Sequence, residues 1–597
     1  MCDASGSLIG SVVDVQLNFD RPFCLIVSIK DRNPSSESQE LVVEANEIAT
    51  VRDVVRLNTT RETHRKRCPA CGFVNPIVAR FCRECGTTLV TVRNDIAAGK
   101  SFLHVSVANV INSILGFALF ALVARMFTAV ELGVLAAVTL SYTVFQYLGQ
   151  LGLGVSAASL VSAALVDGAD EAGRVLWAFV FLSFGLSVIS TIPAYLFAAA
   201  LANLTVRNPS ATDAFQLSAI IVLANVLGSN LEGVLQGIRD FTLLAESRVV
   251  GQVVRIVISL ALLFSGYRVL AVIIGLFFGQ YGFATIAIQI PILLKRFRLV
   301  LPRLGEFVDI IRYSLPLYGV TVVSMVAGYL DLAILVARAT TAQVGAYSIV
   351  LTLVNTTTLI ICLPIQGSLI PFMSKILKEI GSLEWPFKRG TRYLSLTAIP
   401  ILFLLASSSQ LLMFLVAGAR YPQDILPLSI AMFGLILTTF MGLVNASLQA
   451  HGKNTWMLVA LVMSIAVEGV FGYWAIPIYG LVGAALARVV QDLIWIGIEV
   501  FMLGWVMRIR VDTPTLSRMT LASCSFLIIP LHYLIWNNLV GLAMSCAVAA
   551  VVFLLSLKLL RPFTPADVQI ILRIVPPILN PFVSALKIQS LADWLTV

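Results

Sequence analysis

The chain has 597 residues, of which 58% are hydrophobic and 12% charged, and its mean hydropathy is +0.92. These values exclude an ordinary soluble protein and indicate a membrane protein with many spans. The formal net charge of +9 would suggest nucleic acid as a partner of a soluble protein, but here it is explained by basic loops at a membrane, and no nucleic acid is expected.

Residues 1–60 contain no long apolar run and are predicted to form short β-strands. Four segments rich in Val, Ile and Leu are the candidates: Leu8–Leu17, Phe23–Ile29, Leu41–Val43 and Val51–Leu57. The string Ile9-Gly10-Ser11-Val12-Val13-Asp14-Val15, with Asp53-Val54-Val55 later, resembles the PRC-barrel family. This resemblance implies a small β-barrel that acts as a binding or assembly module; a β-rich domain of another kind is the alternative.

Residues 61–95 carry two Cys-x-x-Cys pairs, Cys68/Cys71 and Cys82/Cys85, each followed by a glycine that permits a tight turn. Four thiolates at this spacing close a tetrahedral site, which suits a structural Zn²⁺ and leaves no open position for catalysis. The pattern resembles a short zinc ribbon; iron in a rubredoxin-like site and an unmetallated pair of redox motifs are the alternatives. The remaining cysteines are scattered, so no disulfide framework is predicted.

Two motifs near the start of the membrane region are given no functional role. The basic run Arg61–Arg67 could contact lipid headgroups or nucleic acid, but a solvated linker explains it better. Gly99-Lys100-Ser101 resembles the end of a phosphate-binding loop, yet Asn94 stands where that loop needs its first glycine. We therefore predict no ATP site. The first hundred residues also lack the apolar core of a secretory signal.

From Phe102 onward, apolar runs recur that are about 20 residues long or longer, enough to cross a bilayer core of about 30 Å. We predict about fourteen spans, near residues 102–127, 131–162, 174–202, 214–237, 243–265, 268–294, 308–337, 342–373, 390–417, 425–450, 455–477, 480–507, 516–537 and 539–560. Residues 563–597 contain only short apolar pieces broken by prolines, and are predicted to lie along the inner face as an amphipathic tail.

Lysine and arginine are distributed unevenly between the loops. If the N-terminus is inside, the cytoplasmic loops hold most of them, including those from Lys295 to Arg312. The opposite side carries only Arg125, Arg207, Arg268, Arg338 and Arg420. The positive-inside rule therefore predicts a multi-pass protein of the cell membrane with both termini in the cytoplasm.

Two stretches of the chain repeat each other. Leu122-Val123-Ala124-Arg125 continues through Thr128-Ala129 to Gly133, and Leu335-Val336-Ala337-Arg338 continues through Thr341-Ala342 to Gly345. The two arginines are 213 residues apart, and the same offset carries Leu235-Gln236-Gly237 onto Leu448-Gln449-Ala450. Two matches in one register predict a duplicated membrane bundle, the usual architecture of a secondary transporter.

The same residues resemble landmarks of the multidrug/oligosaccharidyl-lipid/polysaccharide exporter superfamily, and in particular its polysaccharide-transport branch, the flippases of lipid-linked oligosaccharides. The landmarks are Arg125, Gly133, Ser314-Leu315-Pro316 and Val344-Gly345-Ala346-Tyr347. The resemblance covers about residues 100–560. It implies an all-α membrane protein with two pseudo-symmetric six-helix lobes, residues 100–301 and 302–510, that rock around a central cavity. Two additional helices would occupy residues 511–562.

A cavity for a lipid-linked sugar must compensate a phosphate or pyrophosphate and offer hydrogen bonds to sugar hydroxyls. Arg255 and Arg488 are the cations at membrane depth, and the 213-residue offset carries Arg255 onto Glu468. We predict that these three side chains face the cavity; a structural ion pair, including Arg488–Asp492 within one helix, is the alternative. Further cavity candidates are the amides Asn109, Asn225 and Gln252.

Two carboxylates at membrane depth, Asp331 and Glu499, are candidates for binding a coupling H⁺ or Na⁺. Hydrogen bonding to neighbouring helices is the alternative for Asp331. Arg125 and Arg338 lie near helix ends and are predicted to anchor those ends rather than to bind cargo.

The sequence thus predicts a flippase, not an enzyme, that moves a polyprenyl- or dolichyl-linked oligosaccharide across the cell membrane for polysaccharide biosynthesis or glycosylation. The barrel and zinc ribbon would sense or dock glycosyltransferases. A cation-coupled multidrug antiporter of the same superfamily, which would favour an acidic cavity, is the first alternative. A membrane-anchored zinc-ribbon scaffold is the second.

Overall fold

The computed structural model describes residues 11–17, 24–30, 39–44, 48–50, 56–57, 65–67, 74–76, 93–362, 369, 373, 376–377, 382–506, 509, 511–531 and 539–563. The chain divides into two compact units, Met1–Lys100 and Ser101–Val597. The predicted zinc ligands Cys68, Cys71, Cys82 and Cys85 lie outside the described residues, and so does the predicted tail from residue 564 onward.

The first unit contains antiparallel strands, and the three longest of them overlap predicted strand segments, whereas Ile48–Thr50, Arg65–Arg67 and Val74–Pro76 lie outside those segments. β1 (Ser11–Leu17), β2 (Cys24–Lys30) and β3 (Gln39–Glu44) form one sheet in the order β1-β2-β3. Two shorter ladders pair β4 (Ile48–Thr50) with β5 (Arg56–Leu57), and β6 (Arg65–Arg67) with β7 (Val74–Pro76). Closure of these strands into a barrel stays a prediction, and so does the zinc ribbon.

The described residues of the second unit are helical and contain 14 stretches long and apolar enough to cross a membrane, which confirms the predicted multi-pass architecture. The first helices are α1 (Arg93–Met126), α2 (Ala129–Gln150), α3 (Leu153–Asp167), α4 (Ala169–Leu196), α5 (Ala198–Leu201), α6 (Thr212–Gly237), α7 (Phe241–Phe264), α8 (Arg268–Gly275) and α9 (Ile290–Arg296). A π-helical segment, Leu276–Gln289, joins α8 to α9. We call residues 101–296 the N-lobe.

The following helices are α10 (Leu304–Arg338), α11 (Thr341–Thr357), α12 (Glu384–Ser407), α13 (Ser409–Ala417), α14 (Ile425–Ala450), α15 (Asn454–Tyr479) and α16 (Leu481–Val506). We call residues 304–506 the C-lobe. The last two spans contain α17 (Thr513–Ser523), which continues as a 3₁₀ segment, Cys524–Leu531, and α18 (Leu539–Leu560). They pack on the C-lobe through Leu396, Ile399 and Phe403 of α12.

Matching capping boxes begin α2 and α11. The Thr128 hydroxyl accepts from the backbone N–H of Glu131 at 3.3 Å, and the Thr340 hydroxyl accepts from that of Gln343 at 3.4 Å. Thr340 is therefore the counterpart of Thr128, whereas the sequence comparison matched Thr128 with Thr341. Both turns are two residues long, but α1 extends one residue past Arg125 whereas α10 ends at Arg338, so the repeat shifts by one residue after the arginines.

α2 and α11 approach each other backbone to backbone. A Cβ added to Gly133 would lie 1.9 Å from the carbonyl oxygen of Thr341, and one added to Gly345 would lie 1.9 Å from that of Ala129. In the shifted register Ala129 is the counterpart of Thr341, so the two contacts are reciprocal, as a twofold relation between the lobes requires. Only glycine fits at either position, and the lobes therefore meet at the end of the bundle that carries Arg125.

The first half of α10 packs on the N-lobe, although α10 begins the C-lobe in sequence. Ile310 belongs to an apolar core formed otherwise by N-lobe residues such as Leu153 and Leu231. The hydroxyls of Ser156 and Ser314 are buried and lie 2.6 Å apart. α10 therefore bridges the two lobes.

Candidate functional site

A central cavity of about 380 Å³ lies between the lobes, lined by residues of α1, α2, α7, α10 and α11. Apolar and aromatic side chains, including Phe117, Phe120 and Tyr329, form most of its wall. Arg255 is the only charged residue among the described residues that line it. The uncharged polar residues of the wall are Asn112, Ser113, Thr139, Tyr142, Gln252, Tyr329, Ser348, Thr352, Asn355 and Thr356.

Close helix packing fixes the position of Arg255 in this wall. A Cβ on Gly279 would lie 2.2 Å from the backbone nitrogen of Arg255, and one on Gly275 would lie 2.0 Å from the Ser259 hydroxyl. These glycines let the π-helical segment press against α7. One turn before Arg255, the carbonyl oxygen of the Gln252 side chain lies 3.5 Å from Arg255 Nη1.

A second cavity, of about 280 Å³, lies within the N-lobe, and we call it the N-lobe cleft. Its lining residues are Asn109, Asn112, Gln146, Asn225, Gly228, Ser229, Glu232, Arg248, Ala284, Thr285 and Gln289. Its two charged residues neutralise each other: Arg248 donates to both carboxylate oxygens of Glu232, at 2.9 and 2.6 Å. The remaining nitrogen of that guanidinium donates to Asn109 Oδ1 at 2.7 Å. The described lining of the cleft is therefore strongly polar but has no net charge.

Amide side chains supply the other polar groups of the N-lobe cleft. Asn225 Nδ2 donates to Gln146 Oε1 at 2.5 Å, and Gln289 Nε2 donates to the Ser247 hydroxyl at 2.9 Å. The oxygens Asn112 Oδ1 and Gln289 Oε1 are buried without a hydrogen-bond partner among the described residues. Asn112 lines both cavities, so the cleft borders the central cavity.

The C-lobe contains a buried network of a different kind. Asp331, fully buried, accepts from the Tyr347 hydroxyl at 2.8 Å and from Arg488 at 3.3 Å. Glu468 is also fully buried and accepts from the Gln491 amide at 3.2 Å. Arg488, predicted to face the cavity, is thus held by Asp331 of α10. Glu468 lies inside the C-lobe rather than on the wall of the central cavity.

Glu499 forms a separate site near the end of α16. It is 1% exposed, accepts from Trp495 Nε1 at 2.7 Å, and accepts from the Asn445 amide at 2.8 and 2.9 Å. Both partners are uncharged. The structure therefore does not bring the two coupling candidates together, because Asp331 belongs to the network around Arg488.

Contacts between the lobes close the bundle near Arg125. Arg125 donates to the carbonyl oxygens of Leu415 and Val416, at 2.6 and 3.3 Å, in the last turn of α13. Arg420 donates to the carbonyl oxygen of Arg125 at 2.7 Å. Because unpaired carbonyls at a helix C-terminus carry partial negative charge, they suit a guanidinium. Arg338, the counterpart of Arg125, lies instead over a ring of its own lobe, 4.2 Å from the centre of Tyr473.

Several residues of the two cavities could have been predicted from helical periodicity. Arg248, Gln252 and Arg255 are spaced i, i+4, i+7 and lie on one face of α7, from the cleft to the central cavity. Asn109, Asn112 and Gly116 follow a similar spacing on α1. Glu232 and Gln289 are different: no local pattern predicts that they meet Arg248 and Ser247.

The predicted equivalence of Arg255 and Glu468 is visible in the helix positions. α7 begins at Phe241 and α15 at Asn454, which preserves the 213-residue offset, so the two residues lie at the same height in their helices. Their surroundings differ, since Arg255 lines the central cavity and Glu468 is buried.

Comparisons with known proteins agree with this architecture. Residues 98–377 match the family described as polysaccharide biosynthesis proteins. The solved structure of the lipid II flippase MurJ in an inward closed conformation has a TM-score of 0.65 to this chain at 15% identity, over 76% of this chain and 98% of its own. An outward-facing multidrug resistance MATE family transporter of the MOP superfamily has a TM-score of 0.51 at 18% identity, over 69% of this chain and 95% of its own.

A MOP superfamily transporter from Pyrococcus furiosus has a TM-score of 0.50 at 17% identity, over 69% of this chain and 95% of its own. No curated protein matches the chain in sequence. The family match covers less than half of the chain, and the solved structures share its fold, in agreement with the membrane architecture predicted from the sequence. Identities this low establish the fold and leave the cargo to be argued from the cavity.

Proposed function

We propose that this chain is a flippase that carries a polyprenyl- or dolichyl-(pyro)phosphate-linked oligosaccharide across the cell membrane by alternating access. The cavity chemistry supports it: the central cavity lies between the lobes, is mostly apolar, and has Arg255 as the only charge among its described lining residues. An anionic lipid phosphate needs a cation when it leaves water, whereas a cationic drug needs a carboxylate. The cavity therefore favours the flippase over the antiporter.

In this proposal Arg255 compensates the charge of the phosphate while the cargo is shielded from lipid. The guanidinium is always protonated and can form two parallel hydrogen bonds to phosphate oxygens. The lobes then separate near Arg125, which requires the hydrogen bonds from Arg125 to Leu415 and Val416 to break. The close contacts of Gly133 and Gly345 would open in the same step.

The test is transport by the purified full chain in liposomes, with a short-chain polyprenyl-pyrophosphate-linked N-acetylglucosamine as probe. Appearance of the sugar on the far side is measured by its accessibility to a soluble galactosyltransferase. We expect Arg255→Gln to reduce the transport rate at least tenfold and Arg255→Lys to retain part of that rate. Arg174→Gln is the control, because it removes a cation that is paired with Glu171 outside the cavity, and it should leave the rate unchanged. Normal transport by a well-folded Arg255→Gln variant contradicts the proposal.

Residues away from the central cavity have two further roles in the proposed flippase. Glu499, with only uncharged partners, is the better candidate for a coupling proton, since Asp331 already holds Arg488. The N-terminal unit, with a zinc site at Cys68, Cys71, Cys82 and Cys85, would dock or sense glycosyltransferases. Deletion of residues 1–95 distinguishes this from the scaffold alternative, because a flippase retains transport without them.

A further inference from the structure

We infer that the N-lobe cleft is a sugar-binding subsite that selects an uncharged, hydroxyl- or acetamido-bearing sugar next to the lipid phosphate. The inference rests on the proposed function and adds to it: Arg255 would bind the phosphate, and the cleft would bind the sugar attached to that phosphate. It follows from the charge, the hydrogen-bonding groups and the position of the cleft.

The charge of the cleft excludes a phosphate or an acidic sugar as its ligand. Arg248 is held by both oxygens of Glu232, so the cleft has no net charge to offer an anion. Its other polar groups are amides and hydroxyls, which bind neutral hydroxyl and acetamido groups as both donors and acceptors. A sugar carboxylate would meet carbonyl oxygens such as Gln289 Oε1 and would lose its hydration without compensation.

The buried amides of the cleft are not satisfied by the protein alone. Gln289, 2% exposed, donates to Ser247, but its carbonyl oxygen has no partner among the described residues. Asn112 Oδ1 is likewise buried without a hydrogen-bond partner among the described residues. Buried polar atoms are almost always hydrogen-bonded in proteins, so acceptors that remain unpaired in a cavity wall point to donors from a ligand or water. Sugar hydroxyls are such donors.

The position of the cleft places a sugar directly beside the phosphate site. Arg248, Gln252 and Arg255 lie on one face of α7, and the first and last are separated by about 10 Å along the helix axis. Asn112 lines both cavities. A headgroup lying along this face would meet the cation, then an amide, then the neutral Arg248–Glu232 pair.

The test measures binding of defined probes to the full chain in detergent. The probes are a short-chain polyprenyl pyrophosphate without sugar, the same lipid with N-acetylglucosamine, and the same lipid with glucuronic acid. We expect the N-acetylglucosamine probe to bind at least tenfold more tightly than the sugar-free lipid, and the glucuronic acid probe to gain nothing. Equal affinity of the sugar-free and N-acetylglucosamine probes overturns the inference but leaves the proposed function intact.

Matched variants locate the binding site. Asn225→Leu should weaken binding of the N-acetylglucosamine probe about tenfold without changing the affinity for the sugar-free lipid. Asn230→Leu is the control, because Asn230 lies on the same helix as Asn225 but lines neither cavity. The two side chains are similarly buried, with exposed fractions of 1% for Asn230 and 2% for Asn225. Equal losses in the two variants overturn the inference. Arg255→Gln should weaken both probes, and an unchanged affinity there contradicts the proposed function instead.

A change of specificity gives an independent result. Glu232→Gln removes the negative charge that neutralises Arg248, so the cleft becomes cationic. We expect this variant to bind the glucuronic acid probe at least tenfold more tightly than the unmodified chain does. A Glu232→Gln variant that folds normally and shows no gain for the acidic probe contradicts the assignment of the cleft.

Discussion

The cavity-lining amides of the N-lobe and the Asp331–Arg488 pair of the C-lobe differ in how fully their hydrogen bonds are satisfied. In the N-lobe, Asn112, Gln252 and Gln289 line cavities and have amide atoms without a partner among the described residues. In the C-lobe, Asp331 and Arg488 bind each other within the packed interior. The amides thus leave polar atoms open to a cavity, whereas the Asp331–Arg488 pair is closed within the C-lobe. A charge at membrane depth does not identify a binding site until its partners are known.

The largest expected effect comes from breaking the C-lobe network. Arg488→Leu leaves Asp331 buried without its cation, and we expect a loss of about 3–5 kcal/mol in the free energy of unfolding. Arg255→Leu, in the cavity wall, should cost less, since the Gln252 side chain to which Arg255 donates is uncharged. Thermal unfolding in detergent measures both. Similar losses of unfolding free energy in the two variants would contradict the difference between the Asp331–Arg488 pair and the cavity wall.

A smaller effect is expected where the two lobes touch. Gly345→Val places a side chain against the carbonyl oxygen of Ala129, and overpacking of this kind typically costs about 1–3 kcal/mol. We expect the lobes to separate near Arg125, seen as increased labelling of a cysteine introduced at Thr341. Gly497→Val is the control, because a Cβ at Gly497 meets no atom within 4 Å. Unchanged labelling in Gly345→Val would show that the contact between α2 and α11 accommodates a larger side chain at this position.

The two equivalent arginines provide a finer comparison. Arg125 joins the lobes through Leu415 and Val416, whereas Arg338 stacks on Tyr473 in its own lobe. Arg125→Gln should weaken the closed arrangement by about 1 kcal/mol, since Arg125 is exposed to solvent. The same labelling assay should respond to Arg125→Gln and not to Arg338→Gln. An equal response would assign both arginines the same role.

The smallest effect on transport is expected from the N-terminal unit. The full chain should hold one Zn²⁺, measured by elemental analysis of the purified protein, and Cys71→Ser should remove it. Neither lobe contains the predicted ligands, so the transport rate should stay unchanged. A chain that holds iron, or no metal, would refute the zinc assignment, and a loss of transport would link the N-terminal unit to the transport cycle.

The local repeat was largely predictable from sequence, with one instructive error. Leu122–Arg125 and Leu335–Arg338 end equivalent helices, and Arg255 and Glu468 lie at equivalent heights, as the offset predicted. The match of Thr128 with Thr341 was off by one residue. Two adjacent threonines, Thr340 and Thr341, fit the sequence equally well, and only the capping hydrogen bond to Gln343 distinguishes them.

The sequence by itself determined the apolar spans and the multi-pass architecture, because crossing a membrane requires long apolar helices and their pattern is local. Periodicity places Arg248, Gln252 and Arg255 on one face of α7, but only tertiary structure decided which helix faces line a cavity. Arg255 and Arg488 look alike in sequence, yet the first lines the central cavity and the second is bound by Asp331, 157 residues away. Whether such an arginine lines a cavity depends on the rotation of its helix and on the partners that distant helices contribute. A local sequence pattern specifies neither of these.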